Sequence, residues 1–122
     1  KEDDKKDDKK LIKSAIDFTQ NFGIAFQIRD DLINIMHLKN GTSPDIFSGV
    51  YTAPIIFAYE EDKKILTSEN ILNVIKKTRG IEKTKDLMDN YFNKAISSLK
   101  QLENNVYKQT IAELIQLLSN SI

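Results

Sequence analysis

Apolar residues recur at steps of three and four along most of this chain, the spacing that places side chains on one face of an α-helix. The pattern predicts a long helix from Leu11 to about Leu38 and a second long helix over Ile81–Leu102. Shorter helices are predicted over Val50–Glu61, Glu69–Lys77 and Val106–Leu118. The predicted fold class is therefore all-α, a helical bundle.

Turn-forming residues separate the first long helix from the next. Lys39–Gly49 contains an Asn-Gly pair and a Ser-Pro pair, which together predict a loop. Pro44 cannot continue a helix, whereas Pro54 suits the first turn of one. The β-branched residues of Val50–Glu61 would also fit a short strand, but the sequence offers no partner strand, so a helix is the preferred interpretation.

Capping residues delimit the short helix Glu69–Lys77. Thr67 and Ser68 are predicted to cap its beginning, because their hydroxyl groups can accept hydrogen bonds from free backbone N–H groups. Basic residues at its end, followed by Gly80, are predicted to terminate it.

The first ten residues, Lys1–Lys10, are all charged, five basic and five acidic. A segment of this composition buries no apolar surface, so we expect it to be disordered or a solvated helical extension. We interpret it as a low-complexity insertion or tail, with an interaction tail as the functional alternative. Residues 11–122 are then expected to form one helical part of a larger domain.

Composition narrows the function classes further. The chain has 122 residues, 40% of them apolar, with a formal net charge of zero and no cysteine. A balanced charge gives no basis for a nucleic-acid partner held by bulk electrostatics. No apolar run is long enough to predict a transmembrane segment, and the absence of cysteine excludes thiolate metal sites. We expect a soluble protein whose compartment the sequence leaves open, a mitochondrion or plastid being one candidate.

The stretch Asn21–Asn34 (NFGIAFQIRDDLIN) carries the strongest chemical signal. On a helix, with Gln27 as the origin, Asp30 lies at about −60°, Asp31 at about +40° and Asn34 at about −20°. Apolar residues occupy most of the remaining circle, so we expect this helix to be largely buried, with its acidic stripe facing a wet cavity or a partner charge. Gly23, on the same side, leaves space in which a ligand could lie.

An oxygen-rich patch of this kind suits a hard cation. Mg²⁺ is commonly held by one or two carboxylates together with substrate phosphates. Adjacent carboxylates on a helix diverge, so Asp30 and Asp31 would flank a groove, holding separate ions or one ion through water. A solvated, salt-bridged helix face is the simpler alternative. His37, the single histidine, is expected to be a surface or capping residue, and no nucleophilic triad or Gly-rich phosphate loop is present.

Three blocks resemble successive segments of the trans-isoprenyl diphosphate synthases, most closely the long-chain polyprenyl type. FGIAFQIRDDLIN (residues 22–34) is similar to the second aspartate-rich motif, G-x-A-F-Q-x-x-D-D-x-x-D/N. DIFSGVYTAPIIFAYEE (45–61) resembles the D-L-x-x-G-x-x-T-x-P segment that follows. GIEKTKDLMDNYFNKAISSL (80–99) resembles G-I-x-x-T-x-x-L-x-x-x-Y-x-x-x-A. The matches keep the family's order across residues 11–103.

This resemblance implies the C-terminal part of the isoprenoid synthase fold and a prenyltransferase that condenses isopentenyl diphosphate with an allylic diphosphate, using Mg²⁺. By position, Asp30 and Asp31 are implied to bind the metal. The implied substrate-binding residues are Gln27, Asn34, Phe26, Asp45 and Lys39. The resemblance also implies that the allylic diphosphate ionises and that the isopentenyl double bond attacks the resulting carbocation. A homo- or heterodimer formed through helices is expected.

The sequence departs from the family pattern at several positions. Asn34 stands where many members have Asp, Lys39-Asn40 where Gly-Lys is usual, and Val50 where a second lysine is usual. The first aspartate-rich motif, near which the family sets product length, does not occur in these 122 residues. We therefore expect the chain to act as part of a longer protein and to be inactive alone. A degenerate subunit that regulates an active partner, or a helical interaction domain without ligand, are the alternatives.

Overall fold

The computed structural model describes residues 2–37, 52–67, 71–101 and 106–121, and the regular structure in these ranges is entirely helical. The predicted all-α class is therefore confirmed. The α-helices and 3₁₀ helices, in chain order, are α1 (Glu2–Met36), α2 (Ala53–Glu61), a 3₁₀ helix (Lys63–Thr67), α3 (Ile71–Lys77), α4 (Gly80–Ser98), a 3₁₀ helix (Leu99–Gln101) and α5 (Val106–Asn120).

Helix α1 begins at Glu2, nine residues before the predicted start at Leu11. Of the two expectations for the charged segment, the helical extension is confirmed over the part that the structure describes. In the sequence, opposite charges recur three residues apart, as at Lys5 and Asp8, but like charges recur four residues apart, as at Asp4 and Asp8, so the charge pattern alone does not explain this extension. The predicted end near Leu38 lies outside the described residues.

Helix α2 confirms the helical interpretation of the segment around Pro54. Thr52 occupies the N-cap position with extended backbone, and its carbonyl oxygen accepts hydrogen bonds from the backbone N–H groups of Ile55 and Ile56, at 3.1 and 3.0 Å. Pro54 lies in the first turn, where its missing N–H costs nothing. The predicted loop 39–49 and residues 50 and 51 lie outside the described part of the chain.

The sequence predicted that Gly80 terminates α3, but in the structure Gly80 is the first residue of α4. The reason is a close approach to α2. A Cβ atom at Gly80 would lie 2.8 Å from the carbonyl oxygen of Pro54 and 3.1 Å from the Cβ atom of Ala58. Gly80 is therefore required by packing between α4 and α2.

Thr78 joins α3 to α4. Its hydroxyl group donates to the carbonyl oxygen of Ile75 at 2.7 Å and accepts from the backbone N–H of Gly80 at 3.1 Å. One side chain thus adds a second hydrogen bond to the Ile75 carbonyl, which also accepts from the backbone N–H of Thr78 at 3.0 Å, and satisfies a free N–H at the start of the next helix. The cap predicted from Thr67 and Ser68 is not tested, because residues 68–70 lie outside the described ranges.

Glu61, at the end of α2, provides a second support for the start of α4. Its carboxylate accepts a hydrogen bond of 2.7 Å from the backbone N–H of Arg79 and lies 4.0 Å from the ammonium group of Lys83. A negative charge at a helix N-terminus is favourable. A hydrogen bond from the Arg79 guanidinium to Glu82 raises the pKa of Arg79, so this arginine stays charged.

The chain divides into two compact units, one formed by Lys1–Phe26 with Met88–Ile122 and the other by Gln27–Leu87. In the first unit, Phe92 is buried, and its ring lies edge-on to that of Phe22 with the ring centroids 5.9 Å apart. Ile115 of α5 is also buried in this unit. The second unit buries mainly aliphatic side chains, namely Ile28, Leu32, Ile35, Ile55, Ala58, Ile65 and Ile75. Within the described ranges, no helix has both the length and the apolarity needed to cross a bilayer.

Candidate functional site

The predicted acidic stripe lies on the C-terminal third of α1. The side chains of Asp30 and Asp31 are half-buried, and those of Gln27 and Asn34 are exposed. Each carboxylate is thus held on a regular helix while its surroundings stay open to solvent. This is a position from which an oxygen ligand can reach a cation without a large desolvation cost.

The expectation that this helix is largely buried is wrong for part of its circumference. Ile24 is 43% exposed and Phe26 is 40% exposed. Burial is confined to one stripe at three- and four-residue steps, made by Ala25, Ile28, Leu32 and Ile35. The apolar side chains outside this stripe, such as Ile24 and Phe26, are left at the surface.

Gln27 and Asp31 interact directly. The side-chain amide Nε2 of Gln27 donates to Oδ1 of Asp31 at 3.3 Å, across one turn of the helix. Because the donor is neutral and the contact is exposed and long, its main effect is to orient the Asp31 carboxylate rather than to stabilise the fold. The helix thus brings together Gln27 and Asp31, which the sequence predicted to be neighbours.

Asp30 and Asp31, the acid pair, provide few ligand atoms for a metal ion. In the described part of the chain, no group of three or more His, Asp or Glu side chains is arranged to hold a metal ion. Two carboxylates with a neighbouring amide still fit Mg²⁺, which keeps several water or phosphate ligands besides the protein's own. The other predicted substrate-binding residues, Lys39 and Asp45, lie outside the described ranges, so their roles stay predictions.

Phe26 belongs to a row of stacked aromatic rings that sequence reasoning treated only as apolar spacing. The ring centroids of Phe18 and Phe22 are 5.6 Å apart, and those of Phe22 and Phe26 are 6.2 Å apart. The four-residue spacing of the three residues could have predicted this row. Stacking on Phe22 restrains the ring of Phe26 even though Phe26 is 40% exposed.

His37 is exposed, and its backbone N–H donates to the carbonyl oxygen of Ile33 at 3.0 Å. This agrees with the expectation of a surface residue at a helix end.

Gly23 lies in the interior of α1, where a Cβ atom would meet no heavy atom within 4 Å. Glycine at an exposed helix-interior position costs about 0.5–1 kcal/mol relative to alanine. We therefore expect Gly23→Ala to raise the free energy of unfolding by about this amount. Urea denaturation followed by circular dichroism measures it, and a loss of stability would show that the space beside Gly23 is filled in solution.

This chain is similar in sequence to proteins of one known family. A family model described as polyprenyl synthetase matches residues 4–91. Solanesyl-diphosphate synthase 1, mitochondrial, of Oryza sativa subsp. japonica is 34% identical over 101 residues, covering 70% of this chain and 24% of that protein. Decaprenyl-diphosphate synthase of Dictyostelium discoideum is 34% identical over 107 residues, covering 75% and 24% respectively. Hexaprenyl pyrophosphate synthase, mitochondrial, of Saccharomyces cerevisiae is 31% identical over 105 residues, covering 74% and 22%.

A solved structure shares the fold. The apo form of an Arabidopsis medium/long-chain length prenyl pyrophosphate synthase matches 90% of this chain with a TM-score of 0.75 and 24% sequence identity, over 44% of its own length. The all-α fold of such a synthase is therefore present here in part. The chain spans about a quarter of the length of the curated relatives it matches.

Proposed function

This chain belongs to the polyprenyl synthetase family, and from that premise we propose that it supplies the acidic wall of a prenyltransferase site. The proposed reaction joins isopentenyl diphosphate to an allylic diphosphate and lengthens a polyprenyl diphosphate. The observation that carries the proposal is the adjacent pair Asp30 and Asp31, half-buried on a continuous helix within the family match.

Each residue of the stripe has a part in this proposal. Asp30 and Asp31 hold Mg²⁺ through carboxylate oxygens, and the hydrogen bond from Gln27 orients Asp31 toward it. Asn34 and Gln27, both exposed, offer amide N–H groups to the diphosphate oxygens. The Phe26 ring, fixed by Phe22, provides an apolar surface for the allylic carbons. Lys39 and Asp45 are proposed to complete the diphosphate contacts from the segment after α1.

The chemistry needs no protein nucleophile. When bound, Mg²⁺ supplies positive charge to the diphosphate that departs from the allylic carbon. The carboxylates of Asp30 and Asp31 keep that positive charge in place, and the amides beside them hold the diphosphate in register. The role of this chain is thus electrostatic and positional.

The full-length protein that carries these residues tests the proposal. With a short allylic diphosphate and radiolabelled isopentenyl diphosphate, we expect label to enter longer, extractable products only when Mg²⁺ is present. Chelation with EDTA should abolish incorporation, and added Mg²⁺ should restore it. Incorporation that persists in EDTA, or none under either condition, would contradict the proposal.

The relatives compared above are named as synthases, which does not favour a purely regulatory subunit. A dimer formed through helices is part of the proposal, supported by the exposed side chains of Leu114 and Leu117 on α5. Light scattering during gel filtration would detect it. An organellar location is also proposed, because the relatives from Oryza sativa and Saccharomyces cerevisiae are named as mitochondrial. Fractionation of the source cells tests this location.

A further inference from the structure

A polar cavity lies between the first half of α1 and the end of α4, within the first compact unit. Its volume is about 440 Å³, and it is lined by Lys10, Lys13, Ser14, Asp17, Ser97 and Ser98. Among the described residues that form this lining, none has an apolar side chain, so the cavity suits a polar occupant rather than a hydrocarbon. The candidate metal site uses none of these residues.

One wall of the cavity is the nearly buried residue Ser14. It is 7% exposed, and its hydroxyl group forms no hydrogen bond with another described residue. Every fully enclosed side-chain nitrogen or oxygen in the described ranges does have a partner, so the Ser14 hydroxyl group must open onto the cavity. A nearly buried hydroxyl group with an unused donor is unfavourable unless the cavity contains an acceptor.

The charged side chains of the cavity indicate the sign of that acceptor. Lys10, Lys13 and Asp17 form no ion pair with each other or with another residue in the ranges that the structure describes. Lys13 and Asp17 are four residues apart on α1, the spacing at which opposite charges can meet, yet they stay separate. Two ammonium groups and one carboxylate leave the wall net positive, so an anion close to the lysines is the favoured occupant.

The helical spacing of α1 brings these groups to one face. With Ser14 as the origin, Lys10 lies at about −40°, Asp17 at about −60° and Lys13 at about −100°. The two lysines are therefore on the same side of the helix as the Ser14 hydroxyl group, and all three can contribute donors to one anion.

The opposite wall is formed by Ser97 and Ser98, the last two residues of α4. The Ser98 hydroxyl group donates to the carbonyl oxygen of Lys94 at 3.1 Å, so its oxygen is left to accept a hydrogen bond from a ligand. This wall suits the hydroxyl groups of a ligand better than a second anion.

A phosphate monoester matches both walls. It carries a charge of about −1.5 to −2 at neutral pH and three terminal oxygens that accept hydrogen bonds. Lysine ammonium groups and hydroxyl groups are suitable donors to such oxygens. Sites for small molecules commonly have volumes of roughly 300–1,000 Å³, so a cavity of about 440 Å³ has room for a small carbon skeleton beside the phosphate.

We propose that this cavity binds a small, soluble phosphate monoester whose carbon skeleton carries hydroxyl groups, such as glycerol 3-phosphate or a sugar phosphate. Lys10, Lys13 and Ser14 hold the phosphate group, and Ser97 and Ser98 form hydrogen bonds with the hydroxyl groups. The inference does not depend on the proposed prenyltransferase activity, because the acid pair takes no part in it.

Titration of the full-length protein with glycerol 3-phosphate tests the proposal. Phosphorus NMR line widths of the ligand, recorded in EDTA without any isoprenoid diphosphate, give the dissociation constant. We expect Lys13→Gln and Ser14→Ala each to weaken binding by about three- to fivefold. Lys9→Gln is the matched control and should leave binding unchanged, because Lys9 is an exposed lysine of the same helix outside the cavity lining. Thermal unfolding is recorded for each variant.

Four results would overturn the proposal. The first is an absence of saturable binding, and the second is an equal loss of binding in Lys9→Gln and Lys13→Gln, which indicates a diffuse attraction of charges. The third is inorganic phosphate that binds as tightly as glycerol 3-phosphate, because the contacts of Ser97 and Ser98 would then contribute nothing. The fourth is sedimentation with phosphatidic acid vesicles without binding of glycerol 3-phosphate, which would assign the lysines to a membrane surface. Since no Mg²⁺ or isoprenoid substrate is present, none of these results bears on the proposed function.

Discussion

Replacement of Asp30 or Asp31 by alanine in the full-length protein is expected to lower the rate of isopentenyl diphosphate incorporation by about a hundredfold or more. Each substitution removes a negative oxygen ligand from a pair that would hold the metal beside the diphosphate. Because both side chains are only half-buried and lie on an intact helix, folding should be little affected. Steady-state assays at saturating substrate, with thermal unfolding recorded in parallel, measure both effects.

A conservative change separates charge from hydrogen bonding. Asp31→Asn keeps an oxygen that can accept the bond from Gln27 but removes the negative charge, so it should lose activity as Asp31→Ala does. Asp17→Ala is the matched control, since Asp17 is a half-buried aspartate on the same helix, 13 positions before Asp30. Full activity in both Asp30→Ala and Asp31→Ala would exclude the proposed metal site.

Substitution of Gly80 by alanine is expected to destabilise the chain by about 1–3 kcal/mol. The added Cβ atom would lie 2.8 Å from the Pro54 carbonyl oxygen, a backbone atom that cannot rotate away. It would also press on Ala58, so α4 and α2 would have to separate. The loss should appear as a lower urea midpoint in the 122-residue chain with little change in the slope of the transition.

Gly23→Ala is the matched control for this change, because it makes the same substitution in a helix with open space around it. The two variants should shift the urea midpoint in opposite directions. A Gly80→Ala variant as stable as the wild-type chain would show that α4 and α2 do not approach as closely in solution.

The spacing of apolar residues predicted the class and most of the helices because the two long helices bury apolar residues at three- and four-residue steps. In α4, for example, Met88, Phe92 and Ala95 follow one another at four- and three-residue steps and are all buried. The adjacency of Gln27 and Asp31 was predictable for the same reason, since residues four apart on a helix are neighbours. The proposal that Asp30 and Asp31 form a metal site rests on the family resemblance more than on the helix pattern.

Features set by contacts distant in sequence were not predictable. In the sequence, Gly80 after basic residues predicts a helix terminator. The need for glycine at this position is visible only in the structure, where α2 lies against it. Likewise, the spacing could not tell which apolar residues of α1 meet another described helix. Ile24 and Phe26 keep the helical spacing yet stay exposed in a chain that spans 44% of the related structure.

The two hydrogen bonds of the Thr78 hydroxyl group restrict the length of the turn between α3 and α4. This one group forms hydrogen bonds with Ile75 on one side and with Gly80 on the other. The turn between α3 and α4 can therefore keep both bonds only with its present number of residues. A residue inserted there would separate the hydroxyl from one of its two partners and would carry Gly80 away from the Pro54 carbonyl. The number of residues between the two helices, and not only their identity, is therefore part of what this sequence encodes.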